Sequence, residues 1–164
     1  MARCLIVGCG CRGLLLAGEL RARGHPVRAT TRSVQRLARL RAAGLEAWHG
    51  DPDRVATLTG ALADVAIVYL LLGGARGSPQ ALEALHTTRL QMLLERMLDS
   101  AVRAIVYEAA GEVDGELLAR GGAIVRGVCE GSRIPHELLD ADPRDAGAWV
   151  AHAAALPERL LAGR

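Results

Sequence analysis

The sequence predicts an α/β fold with a doubly wound parallel sheet, in which helices flank about six strands. Two observations predict this class. Short apolar runs alternate with helical segments along the chain, and connections of this length are right-handed crossovers between parallel strands. The first apolar run also leads directly into a glycine-rich turn and then a helix. No repeat or linker interrupts the alternation, so residues 1–164 are expected to form a single domain.

Six short apolar runs are the predicted strands. In chain order they cover residues 2–7, 27–31, 45–49, 65–72, 102–107 and 136–139. The fourth run is continuously apolar, which is typical of a strand buried on both faces of a parallel sheet. In this fold class a ligand binds beyond the carboxyl ends of the strands, where the strand order reverses.

The helical segments lie between these strands and begin and end at typical capping residues. In chain order they cover residues 12–23, 33–41, 53–62, 78–99, 115–129 and 143–161. Ser33 and Asp53 begin two of them, and Ser78 precedes a proline at the start of a third, because a side-chain oxygen can accept from the first free N–H groups. Gly24 and Gly44 end the first two helices, since glycine readily adopts the left-handed conformation of a helix C-terminus.

The glycine-rich turn Gly8-Cys9-Gly10-Cys11-Arg12-Gly13 predicts a dinucleotide-binding domain of the Rossmann type. Its first glycine makes the tight turn, the second lets the backbone approach a pyrophosphate, and the third lets the helix pack closely on the strand. The helix N-terminus then attracts the negative charge of the phosphates. All six residues of the turn are therefore predicted to contact the cofactor.

The end of the second strand predicts NADP as the cofactor, with NAD the less favoured alternative. NAD-selective sites place Asp or Glu here to bind the ribose hydroxyls, whereas this chain has Thr31 and Arg32. A guanidinium binds a 2′-phosphate through paired hydrogen bonds, and a hydroxyl can donate to it. A second interpretation assigns the arginines of this region to a solvated basic face: Arg28, Arg32, Arg36, Arg39 and Arg41. That interpretation suits Arg36, Arg39 and Arg41, but Arg32 lies where the ribose is expected.

Residues 50–73 resemble the third and fourth strands of atypical, epimerase-like short-chain dehydrogenase/reductases. The resemblance extends to residues 102–107, similar to the fifth strand of that family, and to residues 132–135, similar to the turn into its sixth. It implies that Asp51 binds the adenine amino group. It also implies that the loop after the fourth strand, beginning at Leu72 and Gly73, lies along a cofactor ribose.

The catalytic residues of that family have no counterpart in this sequence. Ala109-Ala110-Gly111 stands where the family has its catalytic Ser or Thr, and residues 115–129 contain neither the Tyr nor the Lys of its Tyr-x-x-x-Lys pair. All 20 cationic Lys and Arg side chains are arginines. The sequence therefore favours an NADP(H)-binding protein without conventional short-chain dehydrogenase chemistry, acting as a cofactor-dependent sensor or binding module.

Two alternative functions remain open. Glu108 follows the fifth strand inside the predicted crevice, and a desolvated carboxyl there is a candidate acid or base for a reductase or epimerase with non-standard catalytic residues. Cys9 and Cys11 lie at a helix N-terminus beside Arg12, a setting that lowers thiol pKa values and suits a redox sensor. No metal is expected, because the cysteines lack zinc-site spacing and the histidines are scattered without evident partners.

Composition restricts the partners further. A net charge of +2 gives no general attraction for nucleic acid, and no apolar run of membrane-spanning length is present. The opening residues do not resemble a signal peptide, so we expect a cytoplasmic protein with reduced cysteines. Apolar residues of the helix over 78–99 predict a homodimer through this helix: they are Leu82, Leu85, Leu90, Met92, Leu93 and Met97.

Overall fold

Six parallel strands form one sheet in the computed structural model, which describes residues 1–162. The strands are β1 (Cys4–Val7), β2 (Val27–Thr31), β3 (Glu46–His49), β4 (Ile67–Leu70), β5 (Ala104–Glu108) and β6 (His136–Leu139). Their order across the sheet is β3-β2-β1-β4-β5-β6, so the order reverses between β1 and β4. Cys4 on β1 is in register with Val27 on one side and with Ile67 on the other. This arrangement confirms the predicted fold class.

Helices cover both faces of the sheet. They are α1 (Cys11–Ala22), α2 (Val34–Ala42), α3 (Pro79–His86), α4 (Thr88–Leu98), α5 (Gly115–Gly131), α6 (Ala146–Ala154) and α7 (Leu156–Leu161). Helices α3, α4 and α5 share a core with Leu5 and Val7 of β1, whereas α1, α2, α6 and α7 pack on the face that carries Cys4 and Ile6. Among the helices of residues 1–162, none combines the length and apolar character that spanning a bilayer requires.

Three predicted helices have different boundaries in the structure. The predicted helix over 78–99 divides at Thr87, whose hydroxyl donates to the carbonyl of Glu83 and competes with regular helical hydrogen bonding. The last helix begins only after Asp145, which caps it, and divides before Pro157, because proline has no N–H for the helical ladder. The predicted helix over 53–62 consists of two short 3-10 turns, Val55–Leu58 and Gly60–Leu62.

Most apolar side chains of α3 and α4 pack inside the chain. Leu85, Leu90, Leu93 and Met97 are buried against the sheet, and of the six residues that predicted a dimer Met92 alone is exposed, at 44 %. The sheet of the same chain therefore uses most of the surface from which the homodimer was predicted, and the homodimer stays a prediction.

Arg28 is buried in β2, so its assignment to a solvated helix face was wrong. Its guanidinium donates to the carbonyls of Ala61 and Ala63 and to the carboxylate of Glu46, and it lies over the ring of Trp48. These contacts fasten the second 3-10 turn to the sheet edge.

Candidate functional site

A groove with a volume of about 550 Å³ opens beyond the carboxyl ends of the strands. It lies at the reversal of strand order between β1 and β4, where doubly wound sheets bind their ligands. All predicted cofactor contacts line it except Asp51 and Gly73. They are Gly8, Cys9, Gly10, Cys11, Arg12, Gly13, Thr31, Arg32 and Leu72.

The glycine-rich turn forms the centre of the groove. Gly8 has a φ of +85°, and a side chain there would collide with the carbonyl oxygen of Leu71 at the end of β4. The N–H of Gly10 donates to the carbonyl of Gly8 over 3.0 Å, which closes the turn. A Cβ on Gly10 would meet no atom within 4 Å, so the backbone here is open to a ligand. This geometry fits the close approach of a pyrophosphate.

Helix α1 starts directly at this turn. The N–H of Leu14 donates to the carbonyl of Gly10. Gly13 leaves room for the Cys9 sulfur, because a Cβ on residue 13 would lie only 3.2 Å from that sulfur. No acidic residue occupies the first turn of α1. The free N–H groups and the positive end of the helix dipole are therefore available to an anion.

The two cysteines of the turn differ in environment. Cys9 is 4 % exposed, and burial raises the pKa of its thiol to about 11 although the charge of Arg36 acts in the opposite direction. The expectation of a lowered pKa is therefore wrong for Cys9. Cys11 is exposed, and none of the four cysteines forms a disulfide within residues 1–162.

The end of β2 provides two cationic groups. Arg32 is 61 % exposed, and its Nη1 lies 3.9 Å from Oδ2 of Asp53. Arg36 also lines the groove, and its Nη2 donates to the carbonyl of Cys9 over 3.1 Å. The assignment of Arg36 to a solvated face was therefore wrong. The hydroxyl oxygen of Thr31 accepts from the N–H of Ser33, which fixes the turn between the two arginines.

Asp51 and Gly73 lie in loops beside the groove but do not line it. The Asp51 carboxylate accepts from the N–H of Asp53 over 2.9 Å, while Gly50, Pro52 and Asp53 form the groove wall. A Cβ on Gly73 would lie 2.5 Å from Oε1 of Glu108. Their roles as cofactor contacts stay predictions.

Arg12 and Glu108 line the groove and form an ion pair between the start of α1 and the end of β5. Nη2 of Arg12 donates to Oε1 of Glu108 over 3.0 Å, and the two side chains are 30 % and 2 % exposed. Burial raises the pKa of Glu108, and the nearby Arg12 opposes that effect. The Arg12 guanidinium also lies 5.6 Å from the ring centroid of Trp149. No pattern in the sequence pointed to Trp149, a buried residue of α6 that contacts the site through Arg12.

The tyrosines and histidines lie outside the groove lining. Tyr69 and Tyr107 are fully buried; Tyr69 donates to the carbonyl of Ala153, and the Tyr107 hydroxyl lies 2.6 Å from Nδ1 of His86. The expectation that the histidines have no partners was wrong. His25 pairs with Glu158 and His152 with Glu137 in addition to the His86 contact. No group of three or more potential metal ligands occurs among the described residues.

Comparisons with known proteins found a matching family and structures with the same fold. A family described as NAD(P)H-binding matches residues 8–141. No curated protein matches the chain.

Solved structures with the same fold include reductases and epimerases. Citrobacter sp. triphenylmethane reductase complexed with NADP(H) is 23 % identical to this chain, with a TM-score of 0.66. The match covers 84 % of this chain and 48 % of the reductase chain. An Agrobacterium tumefaciens short-chain dehydrogenase/reductase superfamily protein with bound NAD is 18 % identical with a TM-score of 0.66, covering 82 % and 47 %. Bacillus cereus UDP-N-acetylglucosamine 4-epimerase is 17 % identical with a TM-score of 0.63, covering 83 % and 52 %. The chain thus spans about half the length of these proteins.

Proposed function

This chain belongs to the NAD(P)H-binding family, and we propose that it is an NADP(H)-binding module that acts as a cofactor-dependent sensor. In this proposal it lacks the conventional proton relay of short-chain dehydrogenases. The observation that carries the proposal is the glycine-rich turn, whose open backbone at Gly10 meets the N-terminus of α1 at the strand-order reversal.

The preference for NADP over NAD is supported by the two arginines that line the groove after β2. Arg32 is exposed and able to turn toward a 2′-phosphate, and Arg36 is held at the glycine-rich turn by its bond to the Cys9 carbonyl. Guanidinium groups bind phosphate through paired, charge-assisted hydrogen bonds. Asp53 lies beside Arg32, so a 2′-phosphate would compete with this carboxylate for the cation.

The lack of a conventional relay is supported by the position of the tyrosines. The family chemistry uses a tyrosine hydroxyl whose pKa a neighbouring lysine lowers. This chain has no lysine, and burial raises the pKa values of Tyr69 and Tyr107 well above their usual range. Both hydroxyls bond within the core and do not line the groove.

Calorimetric titration with NADPH and NADH tests cofactor binding. We expect NADPH to bind more tightly, because the 2′-phosphate adds charged contacts at Arg32 and Arg36. Equal affinities would contradict the NADP preference. No binding of either cofactor at millimolar concentration would contradict the whole proposal.

A second candidate function, a reductase or epimerase that uses Glu108, is favoured by one observation. The Glu108 carboxyl lines the groove and has a raised pKa, which suits a general acid. Under our proposal the protein oxidises NADPH no faster than background across a panel of aldehydes, ketones and nucleotide sugars. Turnover above background that disappears in Glu108→Gln would support the second candidate instead.

A further inference from the structure

We infer that this groove recognises the adenosine part of its ligand, with a 2′-phosphate and a 5′-diphosphate. A nicotinamide base attached to that diphosphate would contribute little to the affinity. The Arg12–Glu108 ion pair lines the half-site that would receive that base. The inference rests on the proposed function, because it takes the 2′-phosphate contacts as given.

The two halves of the groove are set by the strand order. A doubly wound sheet consists of two mononucleotide-binding halves, and the residue after β2 binds the adenosine ribose. The half formed by β1, β2 and β3 therefore takes the adenosine nucleotide, next to Arg32 and Arg36. The second mononucleotide then lies over the ends of β4 and β5, where Gly74 and Glu108 line the groove.

Arg12 reaches from the first half into the second. It belongs to the first turn of α1, yet its Nη2 lies 3.0 Å from Oε1 of Glu108 at the end of β5. The same Nη2 lies 3.7 Å from the position of a Cβ on Gly74, in the loop after β4. The guanidinium also packs over the ring of Trp149. Contacts with β5, the β4 loop and α6 thus hold Arg12 across the second half-site.

Displacing Arg12 is unfavourable because of what it leaves behind. The Glu108 carboxylate is almost completely buried, so removing its cationic partner leaves a buried charge uncompensated or forces the carboxylate to take up a proton, and both outcomes cost free energy at neutral pH. The uncharged ring of NADPH cannot replace that cation. A diphosphate, in contrast, binds at the glycine-rich turn and the N-terminus of α1, and this leaves the ion pair intact.

A comparison of ligands with and without the base tests the inference on the full chain. Isothermal titration calorimetry would measure NADPH and 2′-phospho-ADP-ribose, which is NADP without its nicotinamide. We expect the two dissociation constants to agree within about threefold. If NADPH binds more than about threefold more tightly than 2′-phospho-ADP-ribose, the inference is wrong. If neither binds at millimolar concentration, the proposed function fails instead.

The variant Glu108→Gln tests the role of the ion pair. Without the carboxylate Arg12 is free to move, so NADPH should gain at least about fivefold in affinity relative to 2′-phospho-ADP-ribose. Glu95→Gln removes the same charge from an exposed position of α4 and should leave the ratio unchanged. An unchanged ratio in a folded Glu108→Gln protein would overturn the role of the ion pair, and the wild-type comparison decides the inference if that variant does not fold.

Discussion

Single residues of the groove differ in how firmly the chain holds them. Gly8 is fixed by its positive φ and by the adjacent Leu71 carbonyl, so no other residue fits its place. Arg12 is held by an ion pair and an aromatic ring, whereas Arg32 is mostly exposed with a distant carboxylate as its neighbour. Substitutions at Arg32 are therefore expected to change ligand binding more than folding.

The substitution Arg32→Asp should weaken NADPH binding specifically. It replaces a cation that can meet the 2′-phosphate with a like charge, and charge-assisted hydrogen bonds of this kind contribute about 1 to 3 kcal/mol. Calorimetric titration with NADPH and NADH measures the change. The matched control Arg39→Asp alters an exposed residue of α2, the helix that follows Arg32, outside the groove, and should have little effect. Equal losses in both variants would contradict a specific contact.

Cys11 should be the one thiol of the four that reacts rapidly in the folded protein. Cys4, Cys9 and Cys129 are buried, and burial raises their pKa values to about 12, 11 and 11. Thiolate is the reactive form, so these three remain protonated at about pH 8. Titration with a chromogenic disulfide should show one fast equivalent that disappears in Cys11→Ser. Two fast equivalents would restore the hypothesis of a redox sensor at Cys9 and Cys11.

Pairs of elements are joined by buried polar contacts that supplement the apolar core. His86 at the end of α3 bonds through Nδ1 to the hydroxyl of Tyr107 on β5. At the other sheet end His25 accepts from the N–H of Ala2 and contacts Glu158 on α7. These contacts fix α3 and α7 against the sheet at positions that the apolar pattern alone leaves free.

The substitution Tyr107→Phe should destabilise the protein by about 1 to 3 kcal/mol, because it leaves Nδ1 of the buried His86 without its hydrogen-bond partner. Urea denaturation measures the change. In a His86→Leu background the same substitution should cost clearly less, since no buried donor or acceptor is then abandoned. Equal costs in the two backgrounds would show that the hydrogen bond does not contribute.

Across the whole molecule, ionisable groups have opposite effects on the free energy of unfolding as the pH changes. Hydrogen bonds to Arg28 and His25 lower the pKa values of Glu46 and Glu158, so their stabilisation is lost as the pH falls. Glu108 acts in the other direction because burial raises its pKa. The contribution of Glu108 to the free energy of unfolding is fully present below the pKa of about 4.5 that this carboxyl has in the unfolded chain. It is lost as the pH rises through the higher pKa of the carboxyl in the folded protein.

The stability of wild type relative to Glu108→Gln should therefore fall as the pH rises. The variant lacks the titrating carboxyl but keeps the other ionisable groups, so the difference in unfolding free energy isolates Glu108. Urea denaturation of both proteins between about pH 4.5 and about pH 8 measures this difference. A difference that grows with pH would show that Arg12 outweighs the burial of the carboxyl.

The homodimer is a prediction at the scale of the whole molecule. With most of α3 and α4 covered by the chain's own sheet, it rests on the exposed Met92 and Leu98 of α4. Light scattering at micromolar concentration should give a mass twice the 17.3 kDa of one chain, reduced by Met92→Arg. A mass of 17.3 kDa for the unaltered protein would exclude the dimer.

The sequence by itself determined the fold class, the six strands and the glycine-rich turn. These follow from local information: apolar periodicity, capping residues and the backbone freedom of Gly8 require no knowledge of distant contacts. The same local logic predicted the position of Arg32, which lines the groove because it directly follows the carboxyl end of β2.

Tertiary structure alone decided which side chains meet at the site. Arg12 and Glu108 are 96 residues apart in the chain, and Trp149 reaches them from α6. The strand order brings these segments together, and no spacing in the sequence encodes that proximity. Burial likewise raised the pKa of Cys9, against the effect expected from its place at a helix N-terminus. Desolvation depends on every element packed around a group, so it is decided only when the chain is folded.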